Sequence, residues 1–209
     1  MRCSRFWTSL LAGAAVAAAP AAAVRAQQGD LPPAGHGTLR QDQVGVRIVT
    51  PTTAVRVMPL DERVIRLLAP DAYRSLHELA LSRASDIAQA ARSGGQDSVA
   101  LFMVTFFGLL PQTQFSPDQV YVTGQSREFR PIGIVPLTPG FAEARLDQRQ
   151  QAAAIYLFES GIDVLRPFAV SYGVQSSEQW NQSLRLLDAE RARVWSRARQ
   201  TAPQPSPPE

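Results

Sequence analysis

Lysine is absent from this chain, cysteine occurs once, as Cys3, and histidine twice, as His36 and His77. With no lysine there is no P-loop lysine and no Schiff-base amine. Cys3 precedes the apolar run of the N-terminus, so it is not placed as the lipid-bearing cysteine of a lipoprotein leader, and the remainder of the chain has no disulfides. Two separated histidines without cysteine are a poor zinc set. The G-x-S-x-G nucleophile elbow and the D-x-D-x-D-G calcium loop are missing too. The sequence therefore nominates no catalytic, cofactor or metal residue.

The N-terminus, "MRCSRFWTSLLAGAAVAAAPAAAVRAQQGD", carries Arg2 and Arg5, an apolar run from Phe6 to Val24, and small residues at Val24 and Ala26. This is the layout of a secretory leader, with cleavage expected between Ala26 and Gln27. Localisation in the periplasm or outside the cell follows as an expectation. All 21 basic residues are arginine and the formal charge is +3. Loss of Arg2, Arg5 and Arg25 with residues 1–26 leaves 18 arginines against 18 acids. A neutral chain gives no footprint for a nucleic-acid partner.

Beyond the leader, residues 27–43 are polar and rich in Gly and Pro, and read as a flexible lead-in. The end, "TAPQPSPPE", residues 201–209, reads as a Pro-rich disordered tail. Residues 44–200 between them form one domain, long enough for a core without staples.

Alternation marks "VGVRIVT" (Val44–Thr50) and "TAVRVMPL" (Thr53–Leu60) as strands, while "ERVIRLLA" fits strand or helix. Tyr73, Leu76, Leu79 or Ala80, Ala84, Ile87 and Ala91 make a helical stripe over about 71–93, with Asp71 as N-cap and Gly94-Gly95 as stop. The most apolar internal run, "VALFMVTFFGLL" (Val99–Leu110), has twelve residues where a membrane span needs about 20. Its valines and phenylalanines suit a central strand covered on both faces, with the 71–93 helix as one cover. No transmembrane segment is expected after the leader.

Further strand signals follow in "QVYVTG", in "EFRPIGIVPLTPG", where Pro131, Pro136 and Pro139 confine the chain to edges or loops, in "AAAIYLFES" and in "RPFAVSYG". Helix formers in residues 142–154 compete, but Ile155, Tyr156 and Phe158 favour a strand from about Gln151. A last helix over about 177–199 shows a capping box from Ser176 to Gln179 and a stripe of Trp180, Leu184, Leu187, Val194 and Ala198, interrupted by Arg191. Docking of this helix on its own domain, burying Trp180 and Leu184, competes with service to a partner helix.

The fold class is mainly β with helices, α+β. From Val99 to Gly173 the succession of a hydrophobic strand, "FSPDQVYV", "RPIGIVPLTPG", the strand ending in Phe158 and "PFAVSY" resembles the immunoglobulin-like antiparallel β-sandwich accessory domains of bacterial envelope and secreted proteins. It has no cysteine pair and no tryptophan in those strands, unlike immunoglobulin domains proper. The resemblance implies a domain that binds or positions a partner, an envelope protein or a glycan.

Candidate chemistry is sparse. His36 sits in the lead-in and His77 beside Glu78 at the edge of the helical stripe. Asp61-Glu62 and the pair Asp188 and Glu190 read as solvated surface. Glu128, Glu143 and Glu159 are the carboxylates available to an alternative function, a secreted hydrolase of cell-wall glycans. Tyr121, Phe129, Phe141, Tyr156, Phe158, Phe168 and Tyr172 read mainly as core, with any exposed ring near Arg130 and Arg145 open to sugar or protein. The leading expectation is a secreted or periplasmic, non-enzymatic binding or assembly domain.

Overall fold

In the computed structural model, residues 31–201 are described. The leader, its cleavage point at Ala26 and Gln27, and the tail beyond Thr201 lie outside them. The described chain has mixed α and β content, with antiparallel sheets and a C-terminal helix.

The first two alternating runs become β1 (Val46–Val49) and β2 (Thr53–Pro59), an antiparallel hairpin in which Val46 faces Val57 and Arg47 faces Arg56. The undecided segment becomes a short helix, α1 (Glu62–Ile65), because Asp61 caps it: its carboxylate accepts from the Arg63 amide at 2.8 Å.

The 71–93 segment is two helices, α2 (Pro70–Ser82) and α3 (Ala84–Ser93). Asp71 is not the cap. Pro70 takes the first helical position, where its fixed φ fits and its missing N–H is no loss, and Ala69 stands at the cap. The break at Arg83 follows Ser82, whose hydroxyl donates to the Leu79 carbonyl at 2.8 Å, a back-bond that bends helices. The Gly-Gly stop forms as expected. Gly95 adopts φ +68°, Gly95 N–H bonds Arg92 and Gln96 N–H bonds Ala91, the paired bonds of a Schellman ending.

The apolar run is β3 (Val99–Gly108), the middle strand of five. It is followed by β4 (Thr113–Gln114), β5 (Val120–Gly124), β6 (Arg127–Phe129), β7 (Pro131–Pro136), β8 (Arg145–Leu146), β9 (Gln151–Glu159), β10 (Phe168–Tyr172), β11 (Gln175–Ser177) and the final helix α4 (Trp180–Thr201). The larger sheet runs β1-β2-β3-β9-β7, a second runs β11-β10-β5-β6, and β4 pairs with β8. The proline-bearing β7 is an edge strand with a bulge between Pro131 and Gly133, as its missing donors require. Residues 142–150 form no α-helix: Ala142 and Glu143 end a short 3-10 helix (Pro139–Glu143), β8 follows, and β9 starts at Gln151.

One face of the five-stranded sheet is buried along Val46, Ile48, Val55, Val57, Phe102, Val104, Phe106, Ala154, Tyr156 and Phe158, and opens towards edge strand β7, where Ile134 is half-buried and Pro136 exposed. Ring contacts join it to the second sheet, Phe102 to Phe168 at 6.0 Å and Phe106 to Tyr172 at 5.7 Å between centroids. The other face is covered unevenly. Helix α3 lies on β7 and β9, with Ala90 against Gly133. Leu101, Met103 and Phe107 of β3 stay half-buried, so cover on both faces holds for one face and fails in part on the other.

Helix α4 docks on its own domain. Trp180 stacks on Phe168 at 4.8 Å and donates its indole N–H to the Val164 carbonyl at 3.0 Å, and Leu187 and Val194 are buried with it. The expected capping box does not form, because Ser176 belongs to β11 and its hydroxyl bonds Ser171 instead. Thr201, expected to open the tail, is the last helical residue.

Candidate functional site

The half-open face of the large sheet carries a groove of about 610 Å³. It lies over β1, β2 and the end of β3. Period-two alternation directs Arg47 of β1 and Arg56 of β2 to this face, and antiparallel pairing sets them directly opposite each other. Gly45 makes room: a Cβ there would stand 2.9 Å from Arg56 Nε. The half-buried Phe107, with Ala54, Gly108 and Leu109, forms an apolar wall.

A third arginine arrives from far along the chain. Gly108 ends β3 with no side chain, and a Cβ there would lie 2.3 Å from the Asp147 carbonyl oxygen. That close approach lets the Asp147–Gln150 turn lie on the strand, closed by Gln150 N–H to Asp147 O at 3.0 Å and tied by Arg149 N–H to Gly108 O at 2.8 Å. Arg149 itself holds φ +67°, a strained left-handed conformation for a residue with a side chain, and lines the groove. Gln179, just before α4, completes the rim: its carbonyl oxygen accepts from the Arg47 amide at 2.9 Å.

The charges are not balanced locally. Asp42 is the groove's one acid, and both its oxygens are held by Arg40, at 3.0 and 2.9 Å. Among the described residues no side chain makes a hydrogen bond or salt bridge to the guanidinium group of Arg47, Arg56 or Arg149. Nη2 of Arg56 is buried without a partner, one of three such buried side-chain atoms with Asn181 Oδ1 and Arg191 Nη2. Burial pulls the Arg56 guanidinium below its ordinary pKa, and Asp42 offsets part of that.

The residues singled out by sequence fall elsewhere. His77 stacks on Tyr73 at 5.4 Å, and its Nδ1 lies 2.7 Å from Glu62, which also holds Arg66 at 2.5 Å. Asp61 and Glu62 are thus half-buried bonding partners rather than solvated surface. Glu190 departs further: it is fully buried, accepting from Thr38 N–H and Oγ at 2.9 and 2.8 Å and from Arg197 at 2.9 Å, with Arg193 at 3.4 Å. Its neighbour Asp188 is exposed, as expected. His36 is half-exposed and its carbonyl accepts from Arg197. These bonds, with Leu39 bridging to Leu68, hold the described part of the lead-in.

Glu128 pairs with Arg130 at 2.8 Å, and Glu159 pairs with Arg127. Glu143 lies three residues before Leu146, which packs at the Gly108 end of β3, whereas Glu159 pairs with Val99 at the other end. About 30 Å of strand separates those ends at ~3.3 Å per residue, against about 5–10 Å between the carboxyl groups of a glycosidase. Among the described residues there is no cluster of three or more His, Cys, Asp or Glu suited to a metal ion, and no helix long and apolar enough to cross a membrane.

Phe129, Phe141, Tyr156, Phe158, Phe168 and Tyr172 are core. Tyr121 is half-exposed with Arg130 over its ring at 5.3 Å, while Arg145 is exposed. No protein-family model, curated protein or solved structure matches the chain.

Proposed function

We propose that this chain is a secreted or periplasmic, non-enzymatic binding domain of the cell envelope, and that the groove over β1, β2 and β3 is where it binds. The observation that carries the reading is the set of three arginines around an apolar wall whose guanidinium groups bond no side chain among the described residues. Unpaired cations at the edge of a buried sheet cost stability, and they persist where a ligand supplies what the fold does not. The N-terminal leader pattern supports the compartment.

The reading includes a sandwich of the two antiparallel sheets with immunoglobulin-like character. Its support is the row of ring contacts from Phe102 and Phe106 to Phe168 and Tyr172. Where immunoglobulin domains place a tryptophan in a strand of the core, here Trp180 enters from the start of α4.

Fractionation of cells producing the tagged protein tests the reading. The expected result is recovery in the envelope or periplasm with Gln27 as first residue, retained there less well by the Arg47→Ala/Arg149→Ala double variant. Recovery of the processed or unprocessed chain in the cytosol overturns it.

A further inference from the structure

Resting on the reading of the groove as a binding site, we infer that its ligand is an organic oxyanion: a phosphate or carboxylate head bound between Arg56, Arg47 and Arg149, carried on an apolar body that lies along Phe107 and Leu109. Four observations converge on it.

First, Arg47 and Arg56 are cross-strand partners, and like charges directly opposite repel. Nature's usual remedy is a carboxylate between them. Asp42 offsets part of the charge on Arg56 but bonds neither arginine's guanidinium, its oxygens being held by Arg40.

Second, Arg56 Nη2 is a buried donor with no acceptor. Buried guanidinium groups are nearly always paired, and a planar fork of N–H groups matches the two oxygens of a carboxylate or phosphate. An oxyanion in the groove satisfies that donor and relieves the Arg47–Arg56 repulsion together.

Third, Arg149 is delivered to the same groove at a cost. Its left-handed φ of +67° is held by the turn that only a glycine at 108 admits. A third cation beside two others is an arrangement for binding an anion, since it worsens the repulsion in the empty groove.

Fourth, part of the lining beside the arginines is apolar: Ala54, Phe107, Gly108 and Leu109. A bare inorganic anion would leave that wall in contact with water. A ligand with an apolar body covers it and gains free energy by taking that surface out of water.

Isothermal titration of the full chain, as recovered from cells, with hexyl phosphate, hexanoate, 1-hexanol and inorganic phosphate tests this. Hexyl phosphate and hexanoate are expected to bind at one site, about tenfold or more tighter than 1-hexanol, with affinity falling as salt rises. Inorganic phosphate is expected to bind more weakly and to compete with both. Arg56→Met is expected to weaken both organic anions about tenfold or more while the melting temperature is kept, and Arg47→Ala and Arg149→Ala to weaken them several-fold. Phosphate and carboxylate heads are separated by whichever of the two anions binds tighter.

Equal binding of 1-hexanol overturns the oxyanion and leaves a groove that takes apolar chains, so the binding-domain reading survives. Anion binding indifferent to all three arginine substitutions places the ligand elsewhere and overturns both. No heat with either anion, from a protein that still depends on Arg47 and Arg149 for envelope retention, overturns the ligand class alone.

Discussion

Two charged residues carry opposite lessons. Glu190 is fully buried yet saturated, with Arg197, Arg193 and Thr38 around its carboxylate. Burial alone would raise its carboxyl, but the bonds from Arg197 and Thr38 win and hold its pKa below the ordinary 4.5. A carboxyl depressed in the folded state contributes stability above its unfolded pKa, and that contribution is lost as pH falls through the folded value. Urea melts are therefore expected to show stability declining below about pH 5. Glu190→Gln should remove that part of the decline, at a cost of about 3 kcal/mol at pH 7 from breaking a buried pair.

Arg56 is half-buried with a donor left over. Its replacement by Met keeps the aliphatic stem on the sheet and removes both the unmatched donor and the repulsion from Arg47. Arg56→Met is expected to leave stability unchanged or to raise it by about 0.5–1 kcal/mol, measured by thermal or urea melts. A loss of 2 kcal/mol or more would make Arg56 a structural residue.

At the scale of elements, the positions of the strands and helices were legible in the pattern and their internal details were not. The hairpin of β1 and β2 is readable even to its register: a two-residue connection at Pro51 and Thr52 sets 47 opposite 56 by counting. Sequence analysis stopped at the strands and missed the arginine pair that this register implies. The Gly94-Gly95 stop was readable because it depends only on local backbone chemistry. The break at Arg83, the start of α2 at Pro70 and the loss of the Ser176 cap were not. In the last case β11 claims Ser176 through pairing that local propensity does not encode.

Helix α4 and the Gly108 turn make the element-scale predictions. Trp180→Ala removes the largest fully buried side chain, which stacks on Phe168 and satisfies the Val164 carbonyl. It is expected to cost about 3–5 kcal/mol by chemical denaturation. Gly108→Ala drives a methyl into the Asp147 carbonyl, so the turn carrying Arg149 must shift. A stability loss of about 1–3 kcal/mol is expected, together with altered amide chemical shifts at Gln148 to Gln150.

For the molecule as a whole, the neutral balance after the expected leader conceals an uneven distribution. Some acids and arginines pair, as Asp61 with Arg63, Arg66 with Glu62, and Glu159 with Arg127, while other arginines such as Arg74 and Arg145 stand without an ion pair among the described residues. What sets Arg47, Arg56 and Arg149 apart is that these unpaired arginines gather around one groove. No count of charges could have shown this, because Arg149 joins the groove only through the contact of the Asp147 turn with Gly108, nearly forty positions apart in the chain. Two of the residues that could have carried chemistry make structural pairs instead, His77 with Glu62 and Glu128 with Arg130.

The central claim is that this groove is the binding surface, and site-directed photocrosslinking in cells tests it most directly. A photoreactive residue at position 47, in the groove, is compared with one at position 174, where Val174 is 98 % exposed on the β10–β11 turn. Adducts confined to position 47 and diminished by Arg149→Ala are the predicted result. Adducts at position 174 with none at position 47 would contradict the account.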